Sequence, residues 1–391
     1  MDFKLTEDQL MVRETIREFA QKEVKPLSRE LDARTNPIDC ISWELIKKAS
    51  DLGIRALGIP QEWGGLGADI ITRLIVQEEL AAADIGFADF LREHGQHFMM
   101  LNKEQRDEFL PQYLADYKYV VAVAQTEPSH GSDHLMGYDE PEASIQAFAE
   151  KRGDEYIING EKQYISHAPI AKLYIVFART DKKLPIRQCQ SGFIVPADTP
   201  GLTVGKTMNK LGRRLLLNGD ILLEDVHVPA RYKIETGEKG GFDAVMEEGA
   251  TLGLLICSNI IGLCRCCYEE TLDYARTRIQ GGKPIIQHTN VAIKLAEMKV
   301  EIEASRAILW KTAWCLENKY DYDPQLWKLI KFFINKISIN VVTKAVDIHG
   351  GLGVDRDLPI EKYLRDAFST LHGLGTPDMS LLRGAPTLDS D

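Results

Sequence analysis

Residues 120–133 read VVAVAQTEPSHGSD, and the organisation of the chain turns on them. A short run rich in Val and Ala, the length of a buried strand, stops at a Thr-Glu-Pro loop that Gly131, Ser132 and Asp133 close. Pro128 fixes one φ angle, and Gly131 lets backbone approach a neighbour closely. A loop of this kind offers backbone N–H groups and hydroxyls to a flat polar ligand or a pyrophosphate. The stretch also marks a change of period: apolar residues recur at helical spacing before it and at spacing two after it.

Working back from this loop, the pattern predicts helices only. Thr6 and Gln9 form a capping box, and Leu10, Ile16, Phe19 and Ala20 trace one apolar face. A second helix starts near Ser42, carries Leu45, Ile46, Ala49 and Leu52, and stops at Gly53. After the loop IPQEWGGLGAD, helical pattern runs over 70–100 and 103–114. Forward from the loop, strand-like runs recur at 145–149, 156–158, 173–178, 192–195 and 221–223. Turns separate them at Arg152-Gly153-Asp154 and at the hairpin dipeptide Asn159-Gly160. From Gly240-Gly241 the helical period returns, with long helices expected over 242–278, over 291–318, from Asp323-Pro324 to 344, and a short one after Pro359. The expected fold is therefore α+β and multidomain: an N-terminal α-helical domain over 1–118, a middle β-barrel or sandwich domain over 119–232, and a C-terminal four-helix bundle over 233–391.

The 391 residues are 44% hydrophobic and 27% charged, ample material for a core. A net charge of −11 argues against nucleic acid and anionic membrane surfaces as partners. No apolar run reaches the roughly 18 residues of a spanning helix, so no membrane insertion is expected. The start, MDFKLTEDQL, is neither a secretory signal nor a transit peptide. Seven cysteines at irregular spacing suggest reduced thiols and a cytoplasmic location. Cys264, Cys266 and Cys267 point in different directions on a helix, which suits buried small hydrophobes and not a metal site.

Six segments together resemble the acyl-CoA dehydrogenase family in order and spacing: IPQEWGGLG, EQRDEFLPQYL, QTEPSHGSD, INGEKQYIS, ARTRIQGGKPI and IHGGLGVDRDLPIEKYLRDA. The resemblance implies FAD as cofactor, an acyl-CoA substrate, an electron-transferring flavoprotein or similar acceptor, and a homotetramer. It places Gln125 and Thr126 at the flavin edge and Ser132 at a phosphate or the acyl-CoA. Tyr164 stands where the family has Trp, and Ser166 where it has Thr. An aromatic face and a hydroxyl are thereby kept. Arg278 and Gln280 match positions that reach a neighbouring subunit's FAD. Gly350 and Gly351 match backbone against the diphosphate, and Thr376 and Asp378 match further nucleotide contacts. Without the resemblance, Arg278 reads as a cation at a helix C-terminus.

In one respect the chain departs from the family. Members of that family take an α-proton with a glutamate directly before a Gly-Thr pair, and here that position is Leu374. The alternative glutamate position, on the long bundle helix, is Leu252, and Gly253 stands where an Arg is common. Glu248, one turn earlier, would serve only if the register slipped. Leu374 and Leu252 instead suggest an apolar, roomy floor of the acyl pocket, against which a planar ring could lie. Three readings follow. Asp89, on the helix that matches the acyl-pocket helix, could be a base for a cyclic, already unsaturated acyl-CoA of the cyclohex-1-ene-1-carboxyl-CoA type. In an apolar pocket such a carboxylate is expected to be a usable base; the bland reading is an i,i+3 ion pair with Arg92 on a solvated face. Second, Arg92 could hold an anion in an elimination such as desulfination. Third, the chain could be the base-less subunit of a hetero-oligomer. His94 and His97 read as packed or solvated histidines.

Overall fold

The computed structural model of the chain describes residues 4–93, 95–136, 138–234, 240–320 and 326–385, with backbone alone at 93, 134 and 240–248. Helix α1 (Glu7–Phe19) carries the expected capping box, Thr6 and Gln9 each accepting from the other's backbone N–H. Helix α2 (Lys25–Asp32) follows. Helix α3 (Trp43–Asp51) is N-capped by Ser42 and ends before Gly53, which takes φ 76°. The stretch 70–100 is not one helical run. It divides into α4 (Ile70–Ala81), α5 (Ile85–Glu93) and a 3₁₀ turn at Gln96–Met100. Asp84 makes the first break, because its Oδ1 accepts from the Phe87 amide as an N-cap does. Its Oδ2 accepts from Ser28 and from Lys362 at 2.9 Å, so this cap also ties three helices together. Helix α6 (Lys103–Ala115) completes the region.

The middle region holds β1 (Val121–Ala124), β2 (Phe148–Arg152), β3 (Glu155–Ser166), β4 (Leu173–Arg179), the short helix α7 (Ile186–Cys189), β5 (Gln190–Pro196), β6 (Leu202–Thr207), β7 (Asn218–Pro229) and β8 (Lys233–Ile234). The strands form one eight-stranded sheet in the order β6-β7-β3-β2-β4-β5-β8, with β1 beside β4. Strand β4 is buried along its whole length. Leu173, Ile175 and Phe177 share a core with Phe109, Leu110 and Tyr113 of α6, whereas Tyr174, Val176 and Ala178 face the core built with β3 and β7. A strand covered on both faces must read as a continuous apolar run, and LYIVFA does.

Asn159-Gly160 is not a hairpin. Strand β3 passes straight through it with a register shift between Ile158 and Gly160, and the β2–β3 hairpin turns at Gly153 instead (φ 60°). The dipeptide serves a bulge: a Cβ on Gly160 would stand 2.7 Å from that of Ala147, and the Asn159 side chain clasps Asp225 through both its amide atoms. The run expected at 145–149 pairs as a strand only from Phe148.

The C-terminal region comprises α8 (Gly240–Thr277), a small hairpin of β9 (Ile279–Gln280) and β10 (Lys283–Pro284), α9 (Thr289–Asn318), α10 (Leu326–His349), α11 (Ile360–Thr370) and α12 (Pro377–Gly384). The expected start at Asp323-Pro324 lies outside the described residues, and α10 runs on to His349 instead of stopping at 344. Helix α12 was not foreseen, although Thr376 followed by Pro377 is an N-cap and N1 pair, and Thr376 Oγ1 accepts from the Met379 amide. Contrary to the sequence expectation, Gly249–Thr277 is long and apolar enough to cross a membrane by length and composition. Its apolar window is 89% buried inside the protein, so it is the bundle's core helix. All seven cysteines are free and buried.

Candidate active site

The Thr-Glu-Pro loop is held from beneath. Lys162, fully buried on β3, sends its Nζ to the Gln125 carbonyl at 2.9 Å and to Glu127 Oε1 at 2.8 Å. Glu127 accepts in addition from the Gln146 and Ala147 amides, so its carboxylate is wrapped on all sides. Burial pushes the Lys162 ammonium down to about 8 despite the opposing pull of Glu127. The Gln163 amide donates to the Thr126 carbonyl, which fastens the loop to the same strand. Gln125 and Thr126 themselves are half-buried.

Two residues beyond Lys162 on β3 the backbone becomes unusual. Tyr164 has φ 57° and is 59% exposed, and its carbonyl accepts from Asn218 Nδ2 at 2.8 Å. The same amide reaches Ser166 Oγ at 3.4 Å. A bulky residue held at positive φ and turned outward is the kind of strain found at ligand sites. On the bundle side, Ser132 Oγ lies 3.7 Å from where a Cβ on Gly375 would stand, which brings the β-region loop against the segment 373–376. Leu374 (φ 52°) and Gly375 (φ 90°) shape that segment, and Thr376 ends it as the α12 cap, with Asp378 exposed in the first turn. At Gly350 and Gly351 nothing lies within 4 Å of an added Cβ, so bare backbone faces open space. Arg278 and Gln280 are exposed at the end of α8 and on β9.

Asp89 and Arg92 are both buried on α5, and here the sequence expectation needs correcting. The i,i+3 pair exists, Arg92 Nε to Asp89 Oδ1 at 3.3 Å, but in the interior and not on a solvated face. Nor are the surroundings of Asp89 purely apolar. Asn259 Nδ2 on α8 donates to Oδ1 at 2.8 Å, and the Arg213 guanidinium pairs with Oδ2. Leu252 is buried on α8, and Leu374 packs half-buried on the bundle core. The space beside Gly253 is filled: a Cβ there would stand 2.3 Å from the Trp327 ring, which occupies the room an arginine side chain would need. The expectation of a roomy floor fails at that point. His97 is buried, while His94 and the Glu248 side chain lie outside the described residues.

Sequence reasoning missed Arg213, Asn259, Lys162, Glu127, Trp327 and Lys331. Lys331, buried on α10, donates from Nζ to the Gly375 carbonyl at 2.9 Å. Only Lys162 left a usable trace, since alternation along β3 turns it inward. Glu127 acts through contacts 19 to 35 residues away, and the others through contacts more than forty residues apart along the chain.

Family models for the acyl-CoA dehydrogenase N-terminal, middle and C-terminal domains match residues 6–116, 122–226 and 239–386. The chain is 31% identical over 388 residues to the probable acyl-CoA dehydrogenase YngJ of Bacillus subtilis (strain 168), covering 98% of each. It is 30% identical over 378 residues to cyclohex-1-ene-1-carbonyl-CoA dehydrogenase of Syntrophus aciditrophicus (strain SB), covering 95% of this chain and 88% of the relative. The structure of butyryl-CoA dehydrogenase from Megasphaera elsdenii superposes with a TM-score of 0.90 at 28% identity, covering 99% of this chain and all of that one. The chain belongs to the acyl-CoA dehydrogenase family. It is an FAD-dependent oxidoreductase acting on the CH–CH group of an acyl-CoA.

The residues present fit that cofactor. Bare backbone at Gly350 and Gly351 suits close approach of a diphosphate, and the outward Tyr164 and Ser166 offer a ring face and a hydroxyl. FAD held by these residues would supply the hydride acceptor for the acyl group.

Proposed function

We propose that this enzyme dehydrogenates a cyclic, already α,β-unsaturated acyl-CoA of the cyclohex-1-ene-1-carbonyl-CoA type, with Asp89 taking the proton. One observation carries the reading: a buried carboxylate stands on the pocket helix while both positions open to an α-proton base, Leu374 and Leu252, are apolar. An sp² α-carbon has no proton to give, but the thioester acidifies the ring's allylic hydrogens through the double bond. One allylic C–H bond delivers its proton to Asp89, and a second C=C bond forms as another ring C–H gives up its hydrogen as hydride, for which bound FAD would be the acceptor. Leu252 and Leu374 bound the acyl group and keep water away, while Ser132 contacts the CoA or a phosphate. Gln125, Thr126, Tyr164, Ser166, Gly350, Gly351, Thr376 and Asp378 hold the FAD. Arg278, exposed at the end of α8, and Gln280, exposed on β9, reach the FAD of a neighbouring copy in a cytoplasmic homotetramer. Electrons pass on to an electron-transferring flavoprotein.

The test is anaerobic bleaching of the oxidised-flavin absorbance by cyclohex-1-ene-1-carbonyl-CoA. Asp89→Asn should slow it by roughly two orders of magnitude or more, the usual worth of a lost base. Flavin content and unfolding midpoint are read alongside, because the amide nitrogen of Asn would face the donors of Arg92, Asn259 or Arg213. If Asp89→Asn bleaches at the native rate while Arg92→Ala does not, elimination of an anion held by Arg92 is the better account. A chain that purifies colourless and takes up no FAD would favour the base-less subunit.

A further inference from the structure

We propose that Arg213 is a positioning residue for this reaction, fixing which oxygen of Asp89 receives the proton. The proposal rests on Asp89 being the proton acceptor. A carboxylate offers about four lone-pair directions, two on each oxygen. Among the described residues, both directions of Oδ1 are used, by Arg92 Nε and Asn259 Nδ2. Among those same residues, Oδ2 accepts from Arg213 alone. The one remaining direction is therefore on Oδ2, and the allylic proton of the acyl group lands there, beside the Arg213 guanidinium.

Arg213 is built to hold that atom still. It sits between β6 and β7 with φ 50°, a left-handed backbone that a non-glycine residue keeps only when its surroundings dictate it. Those surroundings come from two other regions. Its amide donates to Asp366 Oδ1 on α11, and its Nη1 donates to the Ser369 carbonyl at 3.3 Å. The same nitrogen lies 3.5 Å from where a Cβ on Gly373 would stand, one residue before Leu374. One side chain thus joins the β region to the carboxylate on α5 and to the segment that floors the acyl pocket. The charged groups around it are Asp89 and Arg92 on α5, Lys331 on α10, and Asp366 with its partner Lys362 on α11. Asp366 already holds Lys362 at 2.6 Å and Lys362 also holds Asp84, so the anchor beneath Arg213 is itself fixed. A planar fork can grip Oδ2 and the Ser369 carbonyl at once, which a lysine ammonium does less rigidly.

The experiment uses FAD-loaded enzyme and cyclohex-1-ene-1-carbonyl-CoA, with Arg213→Gln, Arg213→Lys, Asp89→Asn and the double variant Asp89→Asn/Arg213→Gln. Bleaching rate at saturating thioester, thioester affinity, flavin content and unfolding midpoint are measured for each. Arg213→Gln is expected to slow bleaching by roughly ten- to a hundredfold, the scale of a misplaced reacting group, with affinity changed less than about threefold. Arg213→Lys should recover part of the rate. In the Asp89→Asn background the second change should cost roughly nothing more, because a positioning residue has no effect once the group it positions is gone. Native-rate bleaching by Arg213→Gln overturns the proposal, and so does a double variant in which the two losses multiply. If Arg213→Gln loses FAD or its fold, Arg213→Lys decides: a folded, flavin-loaded lysine variant with the native rate also overturns it. Asp89→Asn at the native rate overturns the Asp89 reading itself, whatever Arg213 does.

Discussion

Two buried lysines, Lys162 and Lys331, each hold one backbone carbonyl of a segment that borders the active site, and they do so in different company. Lys162 reaches the Gln125 carbonyl from β3, and Lys331 reaches the Gly375 carbonyl from α10, both at 2.9 Å. Burial pushes both ammonium groups down to about 8. Around Lys162 that push is opposed by Glu127, whose carboxylate is bonded to the lysine. Around Lys331 no carboxylate is bonded among the described residues, and the Arg383 and Arg213 cations push the same way as burial. Lys162 is half of an ion pair that happens to carry a loop. Lys331 is a cation enclosed for the sake of a single carbonyl. Similar titration therefore hides a difference in what each side chain contributes.

The largest expected effect comes from breaking the pair. Lys162→Met leaves the Glu127 carboxylate buried with only the Gln146 and Ala147 amides, and removing one partner of a buried pair costs about 3–5 kcal/mol. Denaturant unfolding should show it, together with weaker FAD retention as Gln125 and Thr126 lose their support. Glu127→Gln sharpens the comparison, because it puts Lys162 in the situation of Lys331. If that variant unfolds at the native denaturant concentration, the pair is not what holds the loop, and the two lysines are equivalent after all.

Legibility in the sequence follows the same divide. The three-region architecture was readable because period, caps and turn residues are local: Thr6 with Gln9, Ser42 and Gly53 mark ends by chemistry within four residues. Misreadings arose where a distant contact decided. Gly160 looks like a turn residue, but Ala147 on the neighbouring segment requires its missing Cβ. Asp84 interrupts an apparently continuous helical period because Ser28 and Lys362 are waiting for its other oxygen. In the candidate site, Asp89 and Arg92 were legible as a pair because they share a helix turn. Their setting was not, since Arg213 and Asn259 approach from 124 and 170 residues away, distances over which no period carries information. Trp327 filling the space at Gly253 is the same kind of fact: a glycine announces room, and only the fold says what takes it.

The smaller effect belongs to Lys331 and is best read as a pH dependence. An unfolded lysine titrates near 10.4, and folded Lys331 titrates at about 8. Between these values the unfolded chain holds a proton that the folded chain has released, so the contribution of Lys331 to stability rises with pH across the window. Below pH 8 both states are protonated and the cost of the buried charge is present in full. Each of the two lysines should add on the order of 1–3 kcal/mol as pH climbs from about 8 to 10. Buried thiols and phenols work the other way: Cys257 and Cys266, and Tyr113, Tyr119 and Tyr174, all pushed up to about 12 by burial, stay neutral while their unfolded counterparts ionise from about pH 8.5 and 10, so the lysine contribution is read as the difference between native and variant profiles. Lys331→Met removes the charge together with one carbonyl hydrogen bond, two opposed changes. Stability at pH 7 should therefore move by only about 1 kcal/mol in either direction. The native protein should gain on Lys331→Met between pH 8 and 10 by the share Lys331 supplies, on the order of 1–3 kcal/mol, because the other titrating groups are common to both. A Lys331→Met protein with the native slope would mean Lys331 is not desolvated as its burial implies. A loss at pH 7 as large as that of Lys162→Met would mean that the single carbonyl at Gly375 anchors the segment as firmly as an ion pair does.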